Sequence, residues 1–145
     1  MEAGFSLIEM LVVLTILALV AALTFPLLAR PSDSVRLQAA ARDIVSALRV
    51  TRAAAIARST NLALVIDVDN RTYESPVVAP RAFAADILAR MKIAEPERAT
   101  PARGGFRFFA DGSSTGGDVT LTLGDKAERL CVDWLTGEAR QGGNC

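Results

Sequence analysis

The sequence predicts an α+β protein in which a long N-terminal helix packs on a small antiparallel β-rich domain. Three observations carry this. Met10–Ala29 is a run of twenty residues with no formal charge. Between residues 35 and 58 the apolar positions recur at helical spacing. Beyond residue 60 the pattern changes to short alternating runs separated by turn residues. The 145 residues suit one domain of ordinary size with little left over.

As a helix rising about 1.5 Å per residue, the Met10–Ala29 run is about 30 Å long, the thickness of a bilayer core. Its one breaker is Pro26. A buried core helix is usually shorter and keeps a polar face, so the run reads as a single membrane-spanning helix. Glu9 sits just inside it. A carboxylate there costs a few kcal/mol unless it is paired or reaches the headgroups. The segment in front, Met1-Glu2-Ala3-Gly4, has no Lys or Arg. It is unlike an ordinary secretory leader, and Ala29 is a poor small-residue cut site.

Pro31-Ser32-Asp33-Ser34 marks a short break or cap, with Asp33 and Ser34 as N-cap candidates. From 35 to 58, Leu37, Ala41, Ile44, Leu48 and Ala55 fall on one helical face. Residues 30–60 hold six Arg against two Asp, an excess that suits a solvated face near a membrane surface and anionic lipid. Nucleic acid is not expected, because no aromatic residues interleave with these arginines. Residues 6–58 are expected to form one long helix, loosened near Pro26.

Leu62–Val68 reads as a strand, and Asp69-Asn70 turns it into a second at Arg71–Glu74. Pro76, Pro80, Pro96 and Pro101 punctuate residues 76–105. Phe83, Ile87 and Met91, four residues apart, predict a short helix over 82–90. Strands are expected at Phe106–Phe109, at Val119–Leu123, where alternation is strict, and at Leu130–Trp134. Thr136-Gly137 turns the last of these into a short strand near Glu138–Arg140.

Composition removes most enzyme chemistry. There is no His, hence neither the commonest general base nor the commonest metal ligand. Two Cys cannot build a four-ligand zinc site. Zero net charge gives no overall field for a nucleic-acid partner. The loop Asp111-Gly112-Ser113-Ser114-Thr115-Gly116-Gly117-Asp118 lacks the Lys and following helix of a phosphate loop. No base is available to activate Ser113 or Ser114. Asp111, Ser113, Thr115 and Gly116 match the start of a calcium loop, but its twelfth position is Thr122 and not Glu. The loop is expected to be a structural turn, and no cofactor or catalytic residue is assigned.

Two motifs carry a family resemblance. Gly4-Phe5-Ser6-Leu7-Ile8-Glu9 resembles the leader junction of type IV pilins and type II secretion pseudopilins, although its leader lacks the usual basic residue. The resemblance implies that a prepilin peptidase cuts after Gly4 and methylates the new N-terminus at Phe5. It also implies that Phe5 and Glu9 serve subunit assembly, the amine of one subunit pairing with the Glu of its neighbour. Pro26 falls where many members carry a helix-weakening proline. The second motif runs from Phe108-Phe109-Ala110-Asp111-Gly112 through Gly116-Gly117, then a strand, then Val132–Glu138. It is similar to the C-terminal half of the GspH/FimT group of minor pseudopilins, with Ala110 in place of the usual proline. Asp111, Gly112, Gly116 and Gly117 are the turn residues of that motif.

The resemblance implies a type IV pilin-like fold. Residues 1–4 would be leader, 5–29 the transmembrane helix, 30–60 its amphipathic continuation and 61–145 a periplasmic β-rich domain. It implies a minor pseudopilin of the type II secretion pseudopilus, at the tip or in the priming complex, and not an enzyme. Its partners would be major and minor pseudopilins through the N-terminal helix, the prepilin peptidase and inner-membrane lipid. The place implied is the bacterial inner membrane, crossed once, with the C-terminal domain in the periplasm. A FimT-like minor pilin with a part in DNA uptake is the alternative, but the tail Gln141–Cys145 lacks the basic residues that DNA would want. In an oxidising periplasm Cys131 and Cys145 are candidates for a disulfide, the Gly142-Gly143 pair letting the tail fold back.

Overall fold

The computed structural model describes residues 6–28 and 31–142, with side chains placed at 6–22 and 31–142. The chain divides into two compact units, one ending at Ser32 and the other starting at Asp33.

The first unit holds helix α1 (Leu7–Leu28). The Ser6 carbonyl accepts from the N–H groups of Glu9 (3.0 Å) and Met10 (3.2 Å), which closes the first turn. Glu9 lies in that turn, where the free N–H groups and the helix dipole favour a carboxylate. Leu7, Ile8, Leu11, Leu14, Leu17 and Leu19 are each more than half exposed. Among the described residues no helix is long and apolar enough to cross a membrane. The run on which the expected span rests, Met10–Ala29, reaches past the last placed side chain of α1. Pro26 lies within the bounds of α1, but its side chain is outside those described. Gly4 and Phe5 also lie outside the described residues.

The second unit opens with α2 (Asp33–Ala57). The expected single helix over 6–58 is therefore two: Pro31 and Ser32 are not helical. Proline brings no N–H to a helical ladder, and the next helix starts two residues later, at Asp33. The face expected on α2 is the one that is buried. Leu37, Ala41, Ile44, Leu48 and Ala55 all lie in the core, joined by Val45, Ala47 and Thr51. Thr51 is tolerated there because its hydroxyl is satisfied, lying 2.8 Å from the Ala47 carbonyl and 3.0 Å from Ser75 Oγ.

Two antiparallel sheets pack against α2. The strands are β1 (Leu62–Asp67), β2 (Thr72–Ser75), β3 (Val78–Ala82), β4 (Leu88–Ile93), β5 (Arg98–Thr100), β6 (Arg103–Phe108), β7 (Gly117–Leu123), β8 (Lys126–Val132) and β9 (Ala139–Gln141). One sheet runs β3-β2-β1-β6-β5, the other β4-β7-β8-β9. The expected first hairpin is present: Val65 pairs with Glu74 and Asp67 with Thr72, and the Asn70 N–H donates to the Asp67 carboxylate at 2.8 Å. Phe106, Phe108, Val119 and Leu121 face the common core with Leu37, Ile44 and Leu48.

The short helix expected over 82–90 is not formed. Ala82 ends β3, and Leu88 begins β4 after a turn. A four-residue spacing fits a helix, but it also fits a strand read at every second residue. In β4 Ala89 and Ile93 are buried while Leu88, Arg90 and Lys92 are exposed, which is the period of a strand. The strand expected at Leu130–Trp134 ends at Val132. The Asp133 carboxylate takes the N–H groups of Leu135 and Thr136 at 3.0 and 2.8 Å, so the chain turns there instead.

Candidate functional site

The turn motif at 111–117, the β8–β9 turn and the C-terminal half of α2 meet in one place. Asp111 shapes the first turn, accepting from the Ser113 N–H at 3.0 Å and the Ser113 hydroxyl at 2.6 Å. These bonds, the hydroxyl's first, hold the Asp111 carboxyl below the usual carboxylate range. Ser114 is buried and bridges to Phe108. Its N–H donates to the Trp134 carbonyl at 2.9 Å, and its hydroxyl accepts the Gly116 N–H at 3.2 Å. The loop is thus a saturated network within the fold. Both serine hydroxyls are engaged in holding the turn, that of Ser113 on the Asp111 carboxylate and that of Ser114 on the Gly116 N–H.

Gly112, Gly116 and Gly117 all take positive φ, at 87°, 68° and 132°. A side chain at Gly116 would meet Trp134 Cβ at 2.8 Å. The tightest approach involves a glycine outside the quartet assigned from sequence. At Gly137 (φ 65°) an added Cβ would stand 2.1 Å from the Gly112 carbonyl oxygen. That same carbonyl accepts from Arg52 Nε of α2 at 2.9 Å. One turn of helix earlier, Arg49 donates to the Ala139 carbonyl at 3.1 Å.

By sequence Arg49 and Arg52 belong to a solvated basic face. Two of those six arginines instead fasten the end of the second sheet to α2. Sequence did carry a signal for them: three residues apart, they project in nearly one direction from the helix. The carbonyls that they meet belong to the Gly112 turn and to the start of β9, which no spacing identifies.

The Asp133 turn is closed by four bonds: from Leu135 N–H, Thr136 N–H and the Thr136 hydroxyl to its carboxylate, and from Gly137 N–H (2.8 Å) to its carbonyl. The Thr136 bonds lead in holding the Asp133 carboxyl low, and the Arg140 guanidinium, 2.6 Å away, lowers Glu138. Leu135 and Trp134 stand on this rigid turn, 64% and 67% exposed. Cys131, buried on β8, is disulfide-bonded. Cys145 lies outside the described residues. The arrangement holds backbone and presents surface. It offers a means of contact, not of catalysis.

Glu9 belongs to the other unit, exposed in the first turn of α1. Its expected companion Phe5 is not described, so the structure leaves that pair to comparison and experiment.

Residues 40–137 match the family described as "Type II transport protein GspH", and residues 1–25 match the prokaryotic N-terminal methylation motif. A type II secretion system protein H from Xanthomonas campestris pv. campestris is 38% identical over 139 residues, covering 96% of this chain and 82% of that protein. Among solved structures, the minor pseudopilin EpsH of the Vibrio cholerae type 2 secretion system superposes with TM-scores of 0.59 and 0.61 at 14% and 12% identity. Those two matches cover 73% and 79% of this chain and 95% and 100% of the other. The type IV minor pilin FimU of Pseudomonas aeruginosa superposes with a TM-score of 0.54 at 16% identity, covering 75% of this chain and 88% of that one. The fold is pilin-like: an N-terminal helical region followed by antiparallel sheets.

Proposed function

The chain belongs to the GspH family of type II transport proteins, and on that premise we propose that it is a minor pseudopilin, an assembly subunit of the type II secretion pseudopilus. What carries the reading is the order of two matches in one chain, a methylation motif over 1–25 and the GspH family over 40–137. The relative that is 38% identical across nearly the whole chain supports secretion over the pilus alternative, since the likeness to FimU concerns fold alone.

In this reading a prepilin peptidase removes Met1–Gly4 and methylates Phe5. The apolar N-terminal helix then anchors the chain in the inner membrane, with one crossing, and leaves the β-rich domain in the periplasm. The large side chains of α1 from Leu7 to Val20 stand bare in the isolated chain. At about 0.8 kcal/mol for each buried CH₂, lipid or neighbouring helices would gain more from covering them than any surface contact of the domain supplies. Glu9 near the start of that helix receives the methylated amine of the adjacent subunit, which would relieve the cost of an unpaired carboxylate in apolar surroundings. A place at the filament tip or in the priming complex fits a subunit with a rigid, apolar-tipped turn. The bridge of Cys131 is proposed to run to Cys145, as an oxidising periplasm allows.

Co-expression with a prepilin peptidase, followed by N-terminal mass spectrometry, tests the reading. The expected product begins at methylated Phe5, whereas a cut at Ala22 or Ala29 would reject it. Glu9→Val is expected to stay in the membrane fraction yet fail to join the filament when crosslinked pseudopili are analysed. Incorporation at the wild-type level would show that the carboxylate is only a headgroup contact.

A further inference from the structure

The two sheets have four edge strands, β3, β5, β4 and β9. Three are poor templates for a further strand. β3 carries Pro80, which has no N–H to give, and pairs irregularly with β2. β5 and β9 have three residues each. β4 is different. Its six residues pair with β7 in unbroken register, from Leu88 opposite Thr122 to Ile93 opposite Gly117. It contains neither Pro nor Gly. Among the described residues the backbone of β4 bonds only to β7, so every second N–H and C=O along the other side stands open.

The side chains on this edge are also distinctive. Ala89 and Ile93 turn into the core, while Leu88, Arg90 and Lys92 line the outer face. Neither Arg90 nor Lys92 has an ion pair among the described residues. Lys92 stands opposite Asp118, but that carboxylate is taken by Arg129 at 3.1 Å.

We propose that β4 is a docking edge for an acidic extended segment of another protein, which adds as a fifth strand to the four-stranded sheet and sets its carboxylates against Arg90 and Lys92. Backbone pairing supplies the attachment and the two cations select the partner. A second copy of this chain is the wrong occupant. Pairing β4 with β4 would bring Arg90 and Lys92 of both copies together, and like charges across a ladder repel. The edge would bind such a segment whether or not the chain assembles as a pseudopilin.

The test uses the full chain in detergent micelles and three synthetic peptides. One alternates Glu with Val over six residues, one alternates Lys with Val, and one is the Glu peptide N-methylated at alternate amides. The Glu peptide is expected to slow hydrogen exchange at β4, and the other two are not. Arg90→Thr with Lys92→Thr should weaken this binding about tenfold, as the loss of two surface ion pairs would. Arg90→Glu with Lys92→Glu should shift the preference to the Lys peptide. All these positions are exposed, and unchanged exchange in β1 confirms that each variant is folded. No protection of β4 at millimolar Glu peptide overturns the proposal, as does equal protection by the N-methylated peptide. Self-association of the threonine variant, with no binding of the Glu peptide by the wild type, would show that the cations only guard the edge.

Discussion

α1 and α2 are of similar length, 22 and 25 residues, yet they solve opposite problems. α2 has a buried face, and the chain's own sheets cover the apolar side chains on it, from Leu37 to Ala55. α1 has no such face among the described residues. Its leucines, valines and isoleucines from Leu7 to Val20 lie exposed on every side, and the acidic residue of its first turn is Glu9. A helix that is apolar all round takes its stabilisation from outside the chain. The difference separates two kinds of sequence information. One helix specifies this domain, and the other specifies what the domain is attached to.

The largest expected effect breaks the symmetry between the helices. Leu48→Ala, at a position 1% exposed, should destabilise the β-rich domain by about 3 kcal/mol through the cavity it leaves. Leu14→Ala on α1 should leave that stability unchanged and lower membrane partitioning instead. Urea denaturation followed by circular dichroism reads the first quantity, and flotation with vesicles the second. Equal loss of domain stability from both would show that α1 is part of the domain's core.

The proposed Cys131–Cys145 bridge comes next. Closing about 15 residues, it would contribute about 3 kcal/mol at most by the chain-entropy model. Reduction should lower the urea midpoint of the wild type and leave that of Cys131→Ala unmoved. Thiol labelling of the denatured, unreduced protein should find no free thiol, and labelling at Cys145 would exclude that pairing.

A smaller effect is expected where α2 meets the C-terminal turns. Gly137→Ala places a methyl against the Gly112 carbonyl in a left-handed conformation and should cost about 2 kcal/mol. Gly124, also at positive φ but with open space around it, supplies the control. Gly124→Ala should cost about 1 kcal/mol, the backbone strain alone. Equal losses would mean that packing at the turn contributes nothing.

The core face of α2 and the C-terminal half of the domain were legible in the sequence, and for physical reasons. The buried face of α2 repeats at helical spacing from Leu37 to Ala55, about five turns, too long for chance. Val119-Thr120-Leu121-Thr122-Leu123 alternates with nothing to compete, and β7 covers it. Gly112, Gly116 and Gly117 all take positive φ, the first two in the loop after β6 and Gly117 where β7 begins. The middle was less legible, because the spacing of Phe83, Ile87 and Met91 fits a helix, yet only Met91 lies in an element, β4, where it pairs with Val119 of β7, while Phe83 and Ile87 are buried in the loop before it. The break at Pro31 is not legible from the pattern around it, since an amphipathic pattern does not show whether it continues the helix before it. The clamp by Arg49 and Arg52 was invisible for another reason. A charge on a helix face reads as solvated until its partner is known, and the partners here are main-chain carbonyls.

The smallest expected effect concerns acid, and it distinguishes the turn network of the domain from α1. Asp111, Asp133 and Glu138 all have carboxyls held below their ordinary range by hydrogen bonds to the ionised form. A depressed carboxylate contributes stability that is fully present above its unfolded value, about 4, and that is lost as the pH falls through the lower folded value. The domain should therefore hold constant stability from neutral pH down to about 4 and weaken progressively below it. Asp133→Asn isolates one member. The amide oxygen can still accept from Leu135 and Thr136, so the turn persists, but that position no longer titrates. The variant's stability should fall less steeply below pH 4 than the wild type's, with Asp111, Glu138 and Asp67, whose carboxyl the Asn70 hydrogen bonds also hold low, supplying the remaining slope. Denaturation midpoints measured across that range would read the difference. An acid limb identical to the wild type's would mean that Asp133 holds the turn equally well with and without its charge.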